Sequence, residues 1–94
     1  MNKYEIYMSR NMQRSINMSV PYYIMSAYAY YKDDDPIISD TTFDKMAQFI
    51  LENYDNIDHP HKKYLDRETL EAGTYLGEYP RLAIDSLAHL RQYL

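Results

Sequence analysis

The sequence predicts an all-α domain of three to five helices, and two observations carry that prediction. Apolar residues recur at helical spacing, most regularly at Phe43, Met46, Ala47, Ile50 and Tyr54, which fall at i, i+3, i+4, i+7 and i+11. The ends of the periodic stretches carry helix start and stop chemistry: Ser19 before Pro21, Ser39-Asp40 after an acidic turn, Asp66 ahead of Arg67, and Gly73 after Ala72. At 94 residues the chain is long enough for one domain with a modest core. It divides into an N-terminal segment, 1–18, and a single helical domain, 19–94.

Residues 1–18 place Tyr4, Ile6, Met8 and Met12 among polar neighbours without a stable period, which fits a strand or a frayed helix; the segment reads as a helix, the alternative being a terminal segment whose apolar residues cap the core. The next helix runs from about Pro21 to Lys32. Proline is tolerated in a first turn because the N–H it lacks would be unpaired there anyway. On this helix Ile24, Tyr28 and Tyr31 form one stripe, while Tyr23 and Tyr30 lie on a neighbouring face. One face is expected to be core and the other is available to a site. Asp33-Asp34-Asp35 then ends the helix, since carboxylates oppose the negative end of its dipole and the residue before Pro36 is steered away from helical geometry. The aspartate run reads as a solvated turn, and a metal there would need further oxygen ligands from elsewhere.

A core helix follows from Ser39 or Asp40 to about Tyr54, either side-chain oxygen being able to accept from a free N–H of the first turn. Residues 55–63 form a polar connector. Its His59-Pro60-His61 reads as exposed loop, because no third metal ligand accompanies the pair. Asp66 caps a short helix ending near Ala72, with Gly73 as its stop. The last helix is expected over about Asp85 to Gln92, with Leu87, Leu90 and Leu94 at helical spacing and His89 at the surface; Leu82-Ala83-Ile84 reads alternatively as a short strand.

Composition narrows function. Without cysteine there are no thiol nucleophiles, disulfides or Cys-type zinc sites. Ten basic against 14 acidic residues give a net charge of −4, and with no basic stripe the counterion-release term that drives phosphate-backbone binding is missing, so direct nucleic-acid binding is not expected. No apolar run reaches membrane-span length and no signal-peptide pattern opens the chain, so a cytoplasmic location is expected. The abundance of Tyr, Ile, Asn and Lys is the residue choice of AT-rich coding DNA and fits a phage, with the host cytoplasm then as the location.

The most informative stretch is Tyr30-Tyr31-Lys32-Asp33-Asp34-Asp35-Pro36-Ile37-Ile38-Ser39-Asp40-Thr41-Thr42-Phe43-Asp44. An aromatic helix end, an acidic turn and a helix start bring ring faces and carboxylates together, which suits a flat, hydroxyl-rich ligand. Tyr-Tyr, a short acidic linker and Asp-Pro-x-Ile-Ser-Asp-x-x-Phe-Asp resemble the signature of domain Ia, the N-terminal nucleotide-binding domain of NAD-dependent bacterial DNA ligases. More faintly, His59-Pro60 and the segment from Tyr79 to Leu87 are similar to later parts of that family. The resemblance implies a small helical module that closes over the nicotinamide mononucleotide (NMN) half of NAD, with Tyr30, Tyr31, Asp40, Phe43 and Asp44 as binding residues. The family normally has tyrosine where this chain has Phe43, so ring stacking is retained and one hydroxyl is lost.

The ligases' attacking lysine lies in a Lys-x-Asp-Gly motif, which this sequence lacks; Lys45, Lys62 and Lys63 have other neighbours. No Ser/His/Asp set or catalytic carboxylate pair can be assigned. The expectation is a module that binds NAD or NMN without catalysis of its own and without a metal. The alternative is a protein-interaction module that engages a DNA-metabolism or other host protein through its tyrosine-rich surface.

Overall fold

The computed structural model describes residues 1–75 and 77–94. Among them the chain is all-α, with five α-helices: α1 (Lys3–Arg14), α2 (Ser19–Tyr31), α3 (Asp40–Glu52), α4 (Arg67–Ala72) and α5 (Arg81–Tyr93). Short 3₁₀ turns complete it at Ile16–Met18, Tyr54–Asn56 and Pro60–Tyr64, and no described residue is in a strand. No helix among the described residues is long and apolar enough to cross a membrane.

The molecule is built around α2, not α3. Ser19, Val20, Ala29 and every residue from Tyr22 to Ala27 are buried on α2, because α1, α3 and α5 all pack against it. A helix that is apolar on all sides belongs inside, so the two-faced reading of this segment holds only at its last turn, where Tyr30 and Tyr31 emerge. The expected stripe dissolves accordingly: Ile24 is buried, Tyr28 is half-buried, and Tyr31 emerges at the end of the helix. Ser19 opens α2 but does not cap it, since its hydroxyl donates to the Ile16 carbonyl at 2.6 Å.

On α3 only Met46, Ala47 and Ile50 are buried, so it is an amphipathic helix laid on α2. Its last turn ends at Glu52, and Tyr54 lies beyond it in a 3₁₀ turn, its hydroxyl donating to the Leu65 carbonyl at 2.7 Å. Between Ile57 and Leu65, the His59 and His61 rings are half-buried 5.2 Å apart, and His59 Nδ1 accepts the His61 N–H. That departs from the exposed loop expected there, because the buried Ile57 and Leu65 draw the connector onto the core. Asp66 caps α4 through the Thr69 N–H at 2.7 Å, and Gly73 closes it at φ 67°, both as predicted.

The sequence placed the start of α5 too late. It begins at Arg81, directly after Pro80, whose carbonyl accepts the Ala83 N–H at 2.9 Å. The strand alternative for Leu82-Ala83-Ile84 is thereby corrected. Leu82 is exposed while Ala83, Leu87 and Leu90 are buried, which is a helical period and not an alternating one.

The N-terminal helix is tied to the same core. Met8 is 1% exposed. Asn2 and Glu5 form a reciprocal capping box, each accepting the other's backbone N–H at 2.8 Å. The second Glu5 oxygen reaches across to Ser39, so one buried carboxylate joins the start of α1 to the start of α3.

Candidate functional site

The site forms where α2 ends and α3 begins. The Asp33 N–H still donates to the Tyr28 carbonyl and the Asp35 N–H to the Ala29 carbonyl, which winds the chain off the helix end. Asp34 takes φ 51°, a left-handed conformation that aspartate tolerates better than most residues. Arg91 of α5 then clamps the turn, pairing with Asp33 at 3.5 Å and Asp35 at 3.0 Å and donating to the Asp35 carbonyl at 2.8 Å. Ile37 and Ile38 anchor the far side in the core. Ser39 caps α3 by accepting the Thr42 N–H at 3.1 Å, which places Asp40 in the first turn instead of at the cap.

Held this way, the five residues singled out from the sequence, Tyr30, Tyr31, Asp40, Phe43 and Asp44, line one surface cavity of about 250 Å³. Tyr30 and Tyr31 are 46% and 38% exposed and meet edge to face, with ring centroids 4.9 Å apart. Phe43 is half-buried and stacks on Tyr23 at 4.4 Å with an interplanar angle of 14°. Tyr23 is itself fixed by donating its hydroxyl to the Thr74 carbonyl at 3.0 Å. One face of Phe43 is therefore taken up within the protein, and only the remainder of the ring is available to a ligand.

Four further residues line the wall: Pro36 and Ile38 from the turn itself, and Ser26 and Gly73 from outside the stretch read from the sequence. Ser26 sits on α2 one turn before Tyr30, buried by the packing that makes α2 central. Gly73 comes from α4, and a Cβ at this position would lie 3.1 Å from Asp44 Oδ1. The glycine that ends α4 is thus also what lets the α4 terminus approach the Asp44 carboxylate. Its left-handed stop was readable from sequence, whereas its nearness to Asp44 depends on how α3 and α4 pack.

The cavity is electrostatically one-sided. Among the described residues its walls carry the carboxylates of Asp40 and Asp44 and no lysine, arginine or histidine. The Tyr31 phenol is pushed up from its ordinary value, first by burial and then by Tyr30, Asp40 and Asp44, all of which oppose a further negative charge. A wider groove of about 700 Å³ between α3 and α4 shares Asp44 and Gly73 with the cavity and adds Glu52, Glu71 and Lys45. The aspartates of the turn face Arg91 and solvent, and no described residues form a group of three metal-ligating side chains.

Fold and site together define a small all-helical domain with an aromatic, acidic pocket at a helix–turn–helix junction. No protein-family model, curated protein or solved structure matches this chain.

Proposed function

We propose that this chain is a nicotinamide-nucleotide-binding module of the kind its resemblance to ligase domain Ia implies, binding NMN or the NMN half of NAD without catalysis of its own. The observation that supports this reading is the convergence of Tyr30, Tyr31, Asp40, Phe43 and Asp44 on one cavity, with residues drawn from two helices and separated by an acidic turn. Tyrosine rings offer a flat surface for the nicotinamide, and the two carboxylates are acceptors for ribose hydroxyls or the carboxamide N–H₂.

Size is consistent with this assignment. A cavity of about 250 Å³ lies just below the usual range for ligand sites, about 300–1,000 Å³, and takes a ring and part of a ribose, leaving phosphate outside. Binding is accordingly weak, because the chain provides one wall of a clamp.

The test is titration of the isotope-labelled protein with NMN and NAD, followed by amide shifts. Changes should localise to the five residues, and Asp44→Ala should weaken binding by about 1–3 kcal/mol through the lost acceptor. Spectra unmoved by millimolar NMN and NAD remove the reading. Intact mass after incubation with NAD and magnesium should show no AMP adduct. The half-exposed Tyr30-Tyr31 pair favours the second reading, a protein-binding surface, which pull-down with Tyr30 and Tyr31 variants would take up.

A further inference from the structure

The charge of the cavity makes a sharper statement than its shape, and it rests on the nucleotide reading above. We propose that the site recognises the positive charge of the pyridinium ring, so that it selects oxidised nicotinamide ligands over reduced ones and gains nothing from the phosphate.

Three observations carry this. Asp40 and Asp44 stand in the wall, and among the described residues lining the cavity none is cationic, so a cationic ligand meets two carboxylates and no competing positive charge within it. Tyr30 and Tyr31 present exposed rings in the same wall, and the negative face of an aromatic ring attracts a cation that lies over it. The adjoining groove extends the acidity through Glu52 and Glu71, with Lys45 as its one basic residue. Arg91, which borders the acidic turn, is already engaged by Asp33 and Asp35. A phosphate leaving the cavity therefore meets a negative field, whereas a pyridinium entering it is drawn by both carboxylates and rings.

Reduction of the ring removes its positive charge while leaving the carboxamide, ribose and phosphate in place. The predicted discrimination is thus between two forms of one molecule, and such a module would respond to the redox state of the nicotinamide pool without taking part in electron transfer.

Four probes separate the contributions: NMN, reduced NMN, nicotinamide riboside and 1-methylnicotinamide, each titrated into the labelled full chain at neutral pH and low salt. Reduced NMN should bind at least about tenfold more weakly than NMN, as loss of a cation–ring and cation–carboxylate attraction implies. The riboside should bind at least as tightly as NMN. In the double variant Asp40→Asn with Asp44→Asn, both at exposed positions, the preference for the oxidised form should shrink to about twofold or less. Reduced NMN binding within about twofold of NMN would overturn the inference and leave the nucleotide reading intact, and so would an undiminished preference in the double variant. Binding of 1-methylnicotinamide at the five residues without binding of NMN would uphold charge recognition and remove the nucleotide reading. Silence from all four probes overturns both.

Discussion

The Glu5 carboxylate accepts from both the backbone N–H and the hydroxyl of Ser39, at 3.2 and 3.1 Å, across 34 residues of sequence. Ser39 caps α3, so a residue in the first turn of α1 also holds the start of the helix that carries Asp40, Phe43 and Asp44. The link is a buried carboxylate surrounded by donors, an arrangement that favours its ionised form.

This link makes stability depend on pH at the acid end. Hydrogen bonds from the Thr42 hydroxyl, then the Asn2 N–H, and Ser39 outweigh burial and lower the Glu5 carboxyl from 4.5 to about 2. A depressed folded-state value stabilises the fold fully above the unfolded value near 4.5, and that contribution is lost as pH falls from there towards about 2. Glu5→Ala should cost about 1 kcal/mol at neutral pH, the net worth of its hydrogen bonds to Asn2, Ser39 and Thr42, whose donors are open enough to return to water. Denaturant melts of both proteins over the acid range check it: the difference between them should narrow as pH falls, and a constant difference would contradict the assignment.

Ile50→Asp should unfold the protein. Ile50 is fully buried on α3, so the change forfeits a transfer contribution of about 1.5–3 kcal/mol and adds the desolvation of an unpaired carboxylate. Circular dichroism at room temperature should show loss of helix, and a variant with the parent melting temperature would contradict the packing.

Gly73→Ala should destabilise by about 1–2 kcal/mol, the cost of holding an L residue in left-handed geometry at φ 67°. Because the new methyl group would stand 3.1 Å from Asp44 Oδ1, ligand binding should weaken as well. Thermal melts read the first effect and NMN titration the second. Weakened stability with unchanged binding would separate Gly73 from the site.

Phe43→Tyr should tighten NMN binding by about threefold to tenfold, the worth of one added hydrogen bond. The ring already stacks on Tyr23, so the substitution keeps that packing and adds only a hydroxyl. Calorimetry on the two proteins decides it, and equal affinities would mean that the hydroxyl does not reach the ligand.

Much of this arrangement was legible along the chain because it is local. Ser39, Asp66 and Gly73 act on backbone groups within a turn of themselves, so their roles as cap and stop follow from residue type and spacing. The juxtaposition of the five cavity residues is nearly local too, since a short turn leaves the end of α2 and the start of α3 few ways to meet.

What only the tertiary structure decided is what depends on neighbours distant in sequence. The centrality of α2 was not readable, because apolar periodicity on one helix does not reveal how many partners surround it. Glu5 has the composition of a surface residue and becomes a buried link only when the start of α3 supplies its donors. Arg91 clamps an aspartate turn 56 residues away, and Gly73 opens space for Asp44 across a helix pair. The sequence by itself determined that the chain is helical and fixed the helix ends marked by Ser39, Asp66 and Gly73, whose hydrogen bonds close within a few residues. Packing determined which helix is inside, what fixes the turn, and which side chains form the rest of the pocket wall, since each of these is an energy of contact between segments that the chain order leaves apart.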